Sequence, residues 1–443
     1  MQYNSISFLF LFFPIFLAAY YVLPAKLRNI SLLIGSLVFY YISVQSHPWM
    51  LAILLGLTLL SYSAGLLMCR KNQRWIFFAI TALLVAVLVF FKLFLGGTLL
   101  PVGLSFYLFQ ILAYLVAVYQ GKQAPERNVL RYGTGIAMFP KLLSGPLMDP
   151  DSLSGQVKDR KCRIYDFHRG LQELILGLAM KVLLANRLGG LWGQAAVVGY
   201  DSISPGFAWL ALIAFAMRLY FDFHGYSLMA MGIGRMLGFE IPRNFDDPYA
   251  SRSVSEFYRR WHVTLGLWFR NCIYIPLGGN RKGTGRTMLN LLIVWALTGF
   301  WHGVGGNYLL WAGILLLFIL LERLFLHKLL ERTYVFAHLY TVFVILISWV
   351  PFAIGDFGKM TTFLGRLFGL AGQTINPTDF VGQAAGYKWL LLAGVVLATP
   401  WPRRIWEKIR HHWIVDIFMF ALLWIAVFFV ATAAQDPFMY FQY

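Results

Sequence analysis

The chain has 443 residues, of which 59% are hydrophobic, 17% aromatic and only 13% charged, about half the ~25% charged share of a soluble domain. That composition excludes soluble enzyme folds, repeat arrays and disordered scaffolds, and describes an integral membrane protein. Lys and Arg number 37 against 19 Asp and Glu, a formal charge of +18; the basic residues fall in alternate short loops, a membrane-topology pattern that excludes nucleic-acid binding. Apolar stretches of about 17–25 residues, the length that spans a ~30 Å hydrocarbon core, predict an all-α polytopic fold of about 11–12 transmembrane helices. The three cysteines, Cys69, Cys162 and Cys272, lack metal-ligand spacing, so neither a disulfide framework nor a metal site is expected.

The run from Ser5 to Leu23 has no basic residues ahead of it and leads into Pro24-Ala25-Lys26-Leu27-Arg28 instead of a cleavage site, so it reads as a retained crossing. The neutral turn Ser46-His47-Pro48 and the basic stretch Arg70-Lys71-Asn72-Gln73-Arg74 place the amino terminus outside, Gly96-Gly97-Thr98 at an outer turn and Gly121 to Arg131 inside. Tyr132 to Pro146 is short and broken by Gly133, Gly135, Pro140, Gly145 and Pro146. It is expected to enter and return on the cytoplasmic side around a wet vestibule, because lipid offers irregular backbone no hydrogen-bond partners. Crossings follow at about Gly170–Leu188, Pro205–Met231, Met288–His302, Tyr308–Phe325, Tyr334–Phe352, Tyr387–Ala398 and Trp413–Ala431, with an outer amphipathic segment from Lys359 to Leu370 and both termini external. The chain reads as one membrane domain over 1–443: amino-terminal helices to 131, re-entrant and cytoplasmic-facing segments with crossings over 132–286, a helical hairpin over 287–326, and carboxy-terminal helices over 327–443.

From Glu240 to Arg286 the sequence is too polar to span lipid simply. Ser255 predicts the cap of a helix running to about Asn271 with Phe257, Trp261, Leu265 and Trp268 on its apolar face, His262 at the edge, and Arg259 and Arg270 opposite. Ile275-Pro276-Leu277-Gly278-Gly279-Asn280 then reads as a turn with close backbone approach. His302 lies about 16 residues, roughly 24 Å of helix, beyond Arg286, deep in the membrane, where an ionisable group faces a bundle interior or wet cavity. By position alone His302 divides evenly between a structural hydrogen-bonding role and a catalytic one, and His262 reads as interfacial. Arg218, Asp222 and His224 fall within seven positions of MRLYFDFHGYS, where Asp222 and Arg218 at i,i+4 are spaced for a structural pair.

FYRRWHVTLGLWFRNCIYIPLGGNRKG, followed 40 residues after its histidine by GFWHG, resembles the membrane-bound O-acyltransferase family, in its bacterial alginate and polysaccharide O-acetylation branch. The resemblance extends through FLFLFFPIFLAAYYVLP, LPVGLSFYLFQ, MFPKLLSGP, RLYFDFHGYS, NFDDPYASRSVSEFYRRWH and the closing DPFMYFQY. It implies re-entrant and interfacial helices around a central tunnel, with His302 as the catalytic histidine and His262 as a second site histidine. His224 departs from the branch, which usually carries a small polar residue there. The candidate donor and tunnel-lining residues are Trp301, Trp261, Arg260, Arg259, Asn271, Tyr274, Gly278, Gly279, Asp222 and Tyr220.

The chemistry implied is attack of a hydroxyl on an activated acyl carbonyl, with His302 as general base. The donor substrate is expected to be acetyl-CoA or an acyl-carrier thioester, with no bound cofactor. Its phosphates would meet Arg259, Arg260, Arg270, Arg281 and Lys282, aided by amides near Gly278 and Gly279, although ordinary loop topology accounts equally well for Arg281 and Lys282. His262 would orient or polarise the acyl group and Trp301 would close the tunnel against water. No Ser or Cys adjoins His302, so direct transfer is expected. The branch implies a bacterial cytoplasmic (inner) membrane, a polysaccharide acceptor (exopolysaccharide, capsule or peptidoglycan) and an outer-face SGNH-type acetyltransferase as partner. The alternatives are D-alanyl transfer to teichoic acid, a eukaryotic-type lipid or protein acyltransferase, and a transporter.

Overall fold

The computed structural model describes residues 1–68, 74–95, 99–370 and 376–432. Cys69, the stretch Arg70-Lys71-Asn72-Gln73, the turn Gly96-Gly97-Thr98 and the closing DPFMYFQY lie outside the described residues. The described helices are α1 (Phe8–Val22), α2 (Arg28–Ser43), α3 (Trp49–Met68), α4 (Arg74–Phe94), α5 (Leu104–Tyr119), α6 (Val129–Ala137), α7 (Phe139–Leu142), α8 (Pro150–Lys158), α9 (Ile164–Val198), α10 (Pro205–Met236), α11 (Val254–Arg260), α12 (Val263–Phe269), α13 (Thr284–His302), α14 (Gly306–Arg332), α15 (Tyr334–Ala353), α16 (Phe357–Leu367), α17 (Asp379–Leu397), α18 (Pro400–Ile409) and α19 (Trp413–Thr432). Among the described residues eight of these, α3, α4, α9, α10, α14, α15, α17 and α19, are long and apolar enough to cross a membrane, while α1 and α5 are apolar but shorter. Among the described residues the extended pairing is limited to one antiparallel bridge, between Phe245 and Trp261. Neither Cys162 nor Cys272 is in a disulfide.

Contacts divide the chain into two units, one formed by Met1–Leu178, Tyr226–Arg243 and Val427–Gln442 (positions 433–442 being outside the described residues), the other by Ala179–Gly225 and Asn244–Ala426. In the first unit the glycine- and proline-broken stretch folds as two short helices, α6 and α7, split at Met138. Asn128 caps α6 by accepting from the Arg131 amide. Side chains satisfy the backbone that the break leaves open: the Phe139 amide donates to Ser36 Oγ at 3.0 Å, the Tyr3 hydroxyl donates to the Phe139 carbonyl, and Gln110 both donates to the Met148 carbonyl and accepts from its amide. Irregular backbone persists at membrane depth only with such partners.

The second unit holds the unusual polar segment and the hairpin α13–α14. Close approach at the hairpin depends on missing side chains: a Cβ at Gly299 would lie 3.0 Å from Ala312 Cβ, and one at Gly303 would lie 2.3 Å from the Tyr308 ring. These glycines therefore seat packing neighbours beside His302. The amphipathic segment expected at Lys359 to Leu370 is the helix α16, capped by Asp356, whose carboxylate accepts from the Lys359 amide at 2.8 Å.

Candidate functional site

His302 is the last residue of α13 and is 5% exposed. Its imidazole stands edge-on to three rings: Trp301 at 4.5 Å between centroids, Trp311 at 4.9 Å and Phe352 at 5.2 Å. Behind them Trp311 stacks on Trp349 at 6.2 Å, Trp349 meets Trp261 at 5.3 Å, and Trp261 meets Tyr220 at 6.1 Å. A wall of aromatic rings from α10, α14 and α15 thus encloses the imidazole and keeps water from it. The Trp311 indole N–H in that wall is buried with no acceptor among the described residues.

His262 reaches the same place differently. The helix expected from Ser255 to Asn271 is in fact two helices, α11 and α12, and the cap is Ser253, whose hydroxyl accepts from the Glu256 amide at 3.0 Å. The break falls at Trp261 and His262 because the chain from Asn244 to Asp246 pairs against them. The Asp246 amide donates to the Arg260 carbonyl at 3.0 Å, the Val263 amide donates to the Asn244 carbonyl at 2.9 Å, and the Thr264 hydroxyl donates to Asn244 Oδ1 at 2.6 Å. Helix cannot run through residues whose main chain is bonded elsewhere. His262 consequently takes the left-handed conformation (φ 46°, ψ 52°), and Asp247 on the opposing strand does the same (φ 49°). Among the described non-glycine residues these two alone have positive φ, a strained state that persists only where surrounding structure imposes it. His262 is 4% exposed, with its ring 4.7 Å from Phe223 and 6.2 Å from Trp301. It lies outside the crossings, and burial lowers its pKa to about 3, leaving the imidazole neutral at physiological pH. Both imidazoles therefore border one indole, that of Trp301.

Beside α11 and α12 a cleft of about 900 Å³ opens, lined by Arg252, Arg259, Arg270 and Arg323 together with Glu256 and Glu322 among others. The cluster differs from the expected one. Arg259 and Arg270 line the cleft, but Arg260 turns to Glu256 at 2.7 Å, and Arg281, Lys282, Asn271 and Tyr274 are not on its wall. Tyr274 instead lies beside Gly279, whose added Cβ would stand 3.7 Å from the Tyr274 ring. Gly278 (φ 107°) and Gly279 (φ 57°) form the expected turn, and Asn290 donates to the Gly279 carbonyl at 2.8 Å. Arg252 and Arg323, which are not among the expected cations, complete the basic lining. Asp222 is paired with Lys181 at 2.5 Å, each fully buried, a partner the sequence spacing did not point to. His224 packs at 5.2 Å from Tyr220 and 5.4 Å from Phe245, within the same aromatic cluster. Among the described residues no group of three or more His, Cys, Asp or Glu side chains is placed to hold a metal ion.

Residues 200–350, which contain both histidines, match the membrane-bound O-acyltransferase family. The chain is 33% identical over 410 residues to a probable alginate O-acetylase, AlgI, of Pseudomonas putida, covering 86% of this chain and 82% of that protein. The chain belongs to the membrane-bound O-acyltransferase family. It is a multi-pass membrane enzyme that acts as an O-acyltransferase. A peptidoglycan O-acetyltransferase of Helicobacter pylori is 25% identical over 525 residues, covering 100% of this chain and 98% of that one. A teichoic acid D-alanyltransferase of Streptococcus thermophilus is 26% identical over 268 residues, covering 54% of this chain and 62% of that one.

Proposed function

We propose that this protein moves an acetyl group from a cytoplasmic thioester to the hydroxyls of an extracytoplasmic polysaccharide, with His302 as general base. The observation that carries the reading is the pair of buried imidazoles bordering Trp301, at 4.5 Å for His302 and 6.2 Å for His262. His302 takes the proton of the acceptor hydroxyl as its oxygen attacks the acyl carbonyl; the thiolate leaves and is protonated. Neutral His262 orients the acyl group. Exclusion of water by the aromatic wall protects the thioester from hydrolysis. The phosphates of acetyl-CoA, or the phosphopantetheine of an acyl carrier, dock on the cleft cations Arg252, Arg259, Arg270 and Arg323, where guanidinium forks suit phosphate oxygens.

The acceptor follows from the relatives, one named for alginate and one for peptidoglycan; exopolysaccharide, capsule or peptidoglycan is the class we infer, in a bacterial cytoplasmic membrane. An outer-face SGNH-type transferase would carry the group to the glycan. The D-alanyl reading rests on a relative that matches 54% of this chain. The test is thiol release from acetyl-CoA by the purified protein in nanodiscs supplied with a polysaccharide as hydroxyl acceptor, comparing wild type with His302→Ala and His262→Ala, each verified as folded by size exclusion. Release by wild type that is lost in His302→Ala is the expected result. A folded His302→Ala protein that still transfers acetyl would sink the assignment of the base, and transfer only from a D-alanyl-carrier thioester would select the sister activity.

A further inference from the structure

We propose that Arg403 is a positioning residue, which sets the geometry of His262 by clamping the strand that breaks the helix there. This rests on the acyl-transfer reading for its kinetic consequence, but the clamp itself is a matter of structure. Arg403 lies on α18, a helix that carries none of the expected site residues. Its guanidinium spreads across two consecutive carboxylates, with Nη1 2.6 Å from Asp246 Oδ1 and Nη2 2.6 Å from Asp247 Oδ2. Asp247 is the other left-handed residue of the clasp and its side chain is only 8% exposed. From there the connection to His262 is main chain: Asp246 pairs with Arg260, Phe245 bridges Trp261, and Asn244 holds Val263 and Thr264.

An exposed ion pair ordinarily contributes little. This one differs because one planar fork binds two adjacent carboxylates at once, and it does so where the backbone is strained. Without the fork, Asp247 has reason to relax to negative φ and withdraw the strand, and Trp261 and His262 are then free to rejoin α11 and α12 in one continuous helix. That motion would swing the His262 ring off the Trp301 indole.

The experiment is a double-mutant cycle between Arg403→Ala and His262→Ala, read by thiol release from acetyl-CoA in nanodiscs supplied with the same polysaccharide acceptor, with hydrogen exchange measured over residues 244–264. Arg404→Ala, on the same helix with its guanidinium 5.6 Å from the Trp401 ring, controls for the charge of α18. The expected result is a fall in kcat of about tenfold or more for Arg403→Ala with KM for acetyl-CoA changed by less than about twofold, partial recovery in Arg403→Lys, and faster exchange at 244–264. In the His262→Ala background Arg403→Ala should cost nothing further, since what it positions is gone. Equal losses in both backgrounds, or unchanged exchange at 244–264, would overturn the proposal. If Arg403→Ala does not fold, the same cycle run with Arg403→Lys decides it. Should wild type release no thiol at all, the acyl-transfer reading falls while the exchange data still decide the clamp.

Discussion

His302 and His262 border one indole but are held by opposite means. His302 ends a regular helix of 19 residues and is fixed by packing, its ring wedged between Trp301, Trp311 and Phe352 while Gly299 and Gly303 let α13 and α14 close together. His262 interrupts a helix and is fixed by main-chain bonds and charge, in a conformation its side chain disfavours. A ring held by packing is disturbed chiefly by changes of volume; one held by backbone ties is disturbed by the loss of polar partners that lie some distance from it. The largest effect expected is chemical: His302→Ala should lower kcat by about 10²–10⁴, the contribution of a positioned general base. For His262 the informative substitution is His262→Asn, because asparagine tolerates the left-handed conformation and separates loss of the imidazole from release of the backbone. If His262→Asn proves as inactive as His302→Ala, the two histidines share the chemistry and the contrast drawn between them is wrong.

What could be read in the sequence follows the same division. The long apolar helices and the break in the glycine- and proline-rich stretch were legible because hydropathy, helix length and helix breakers are local properties of the chain. The Gly278-Gly279 turn was legible because two adjacent glycines permit the positive φ values found there. The break at His262 was not, since FYRRWHVTLGLWF has a helical pattern of apolar residues and only the distant pairing of Asn244–Asp246 overrides it. The cap was misplaced by two residues because Ser253 and Ser255 both precede acceptable first turns, and Glu322, far along the chain, decides between them. Its carboxylate accepts from the amides of Val254 and Ser255 and from the Ser255 hydroxyl, a role that a search for local capping partners cannot see.

Glu322 is therefore the next place to test the contrast. It is 5% exposed and ties the start of α11, which leads to His262, to α14 of the hairpin that carries His302. Glu322→Ala leaves the buried Val254 amide without its acceptor, at about 1–3 kcal/mol, and frees the part-buried Ser255 amide at a smaller cost. The expected outcome is a lower melting temperature, with kcat reduced as well because α11 shifts. Glu322→Gln keeps one acceptor oxygen and should fall between. A smaller loss, about 1–3 kcal/mol from overpacking, is expected for Gly303→Ala, whose Cβ would sit 2.3 Å from the Tyr308 ring. Combining it with Tyr308→Ala should restore the packing of His302, measured as recovered kcat. Failure of that pair to recover would mean that the hairpin is not what fixes the ring.

The smallest effect over a practical range is a pH dependence that belongs to His262. In the unfolded chain an imidazole takes its proton near pH 6.5; in the folded protein burial lowers that to about 3. Between these values the unfolded state binds the extra proton, so the stability associated with the neutral, buried ring is complete above about pH 6.5. It is lost as the pH falls, by about 1.4 kcal/mol per unit, until the folded state also protonates near 3. Melting of detergent-solubilised protein at pH 7.5 and 5.5 should show a fall for wild type that is smaller by about 1 kcal/mol in His262→Asn, which has no proton to take. An identical fall in both proteins would place the sensitive group elsewhere. It would also mean that the clasp admits water to His262, which packing alone prevents at His302.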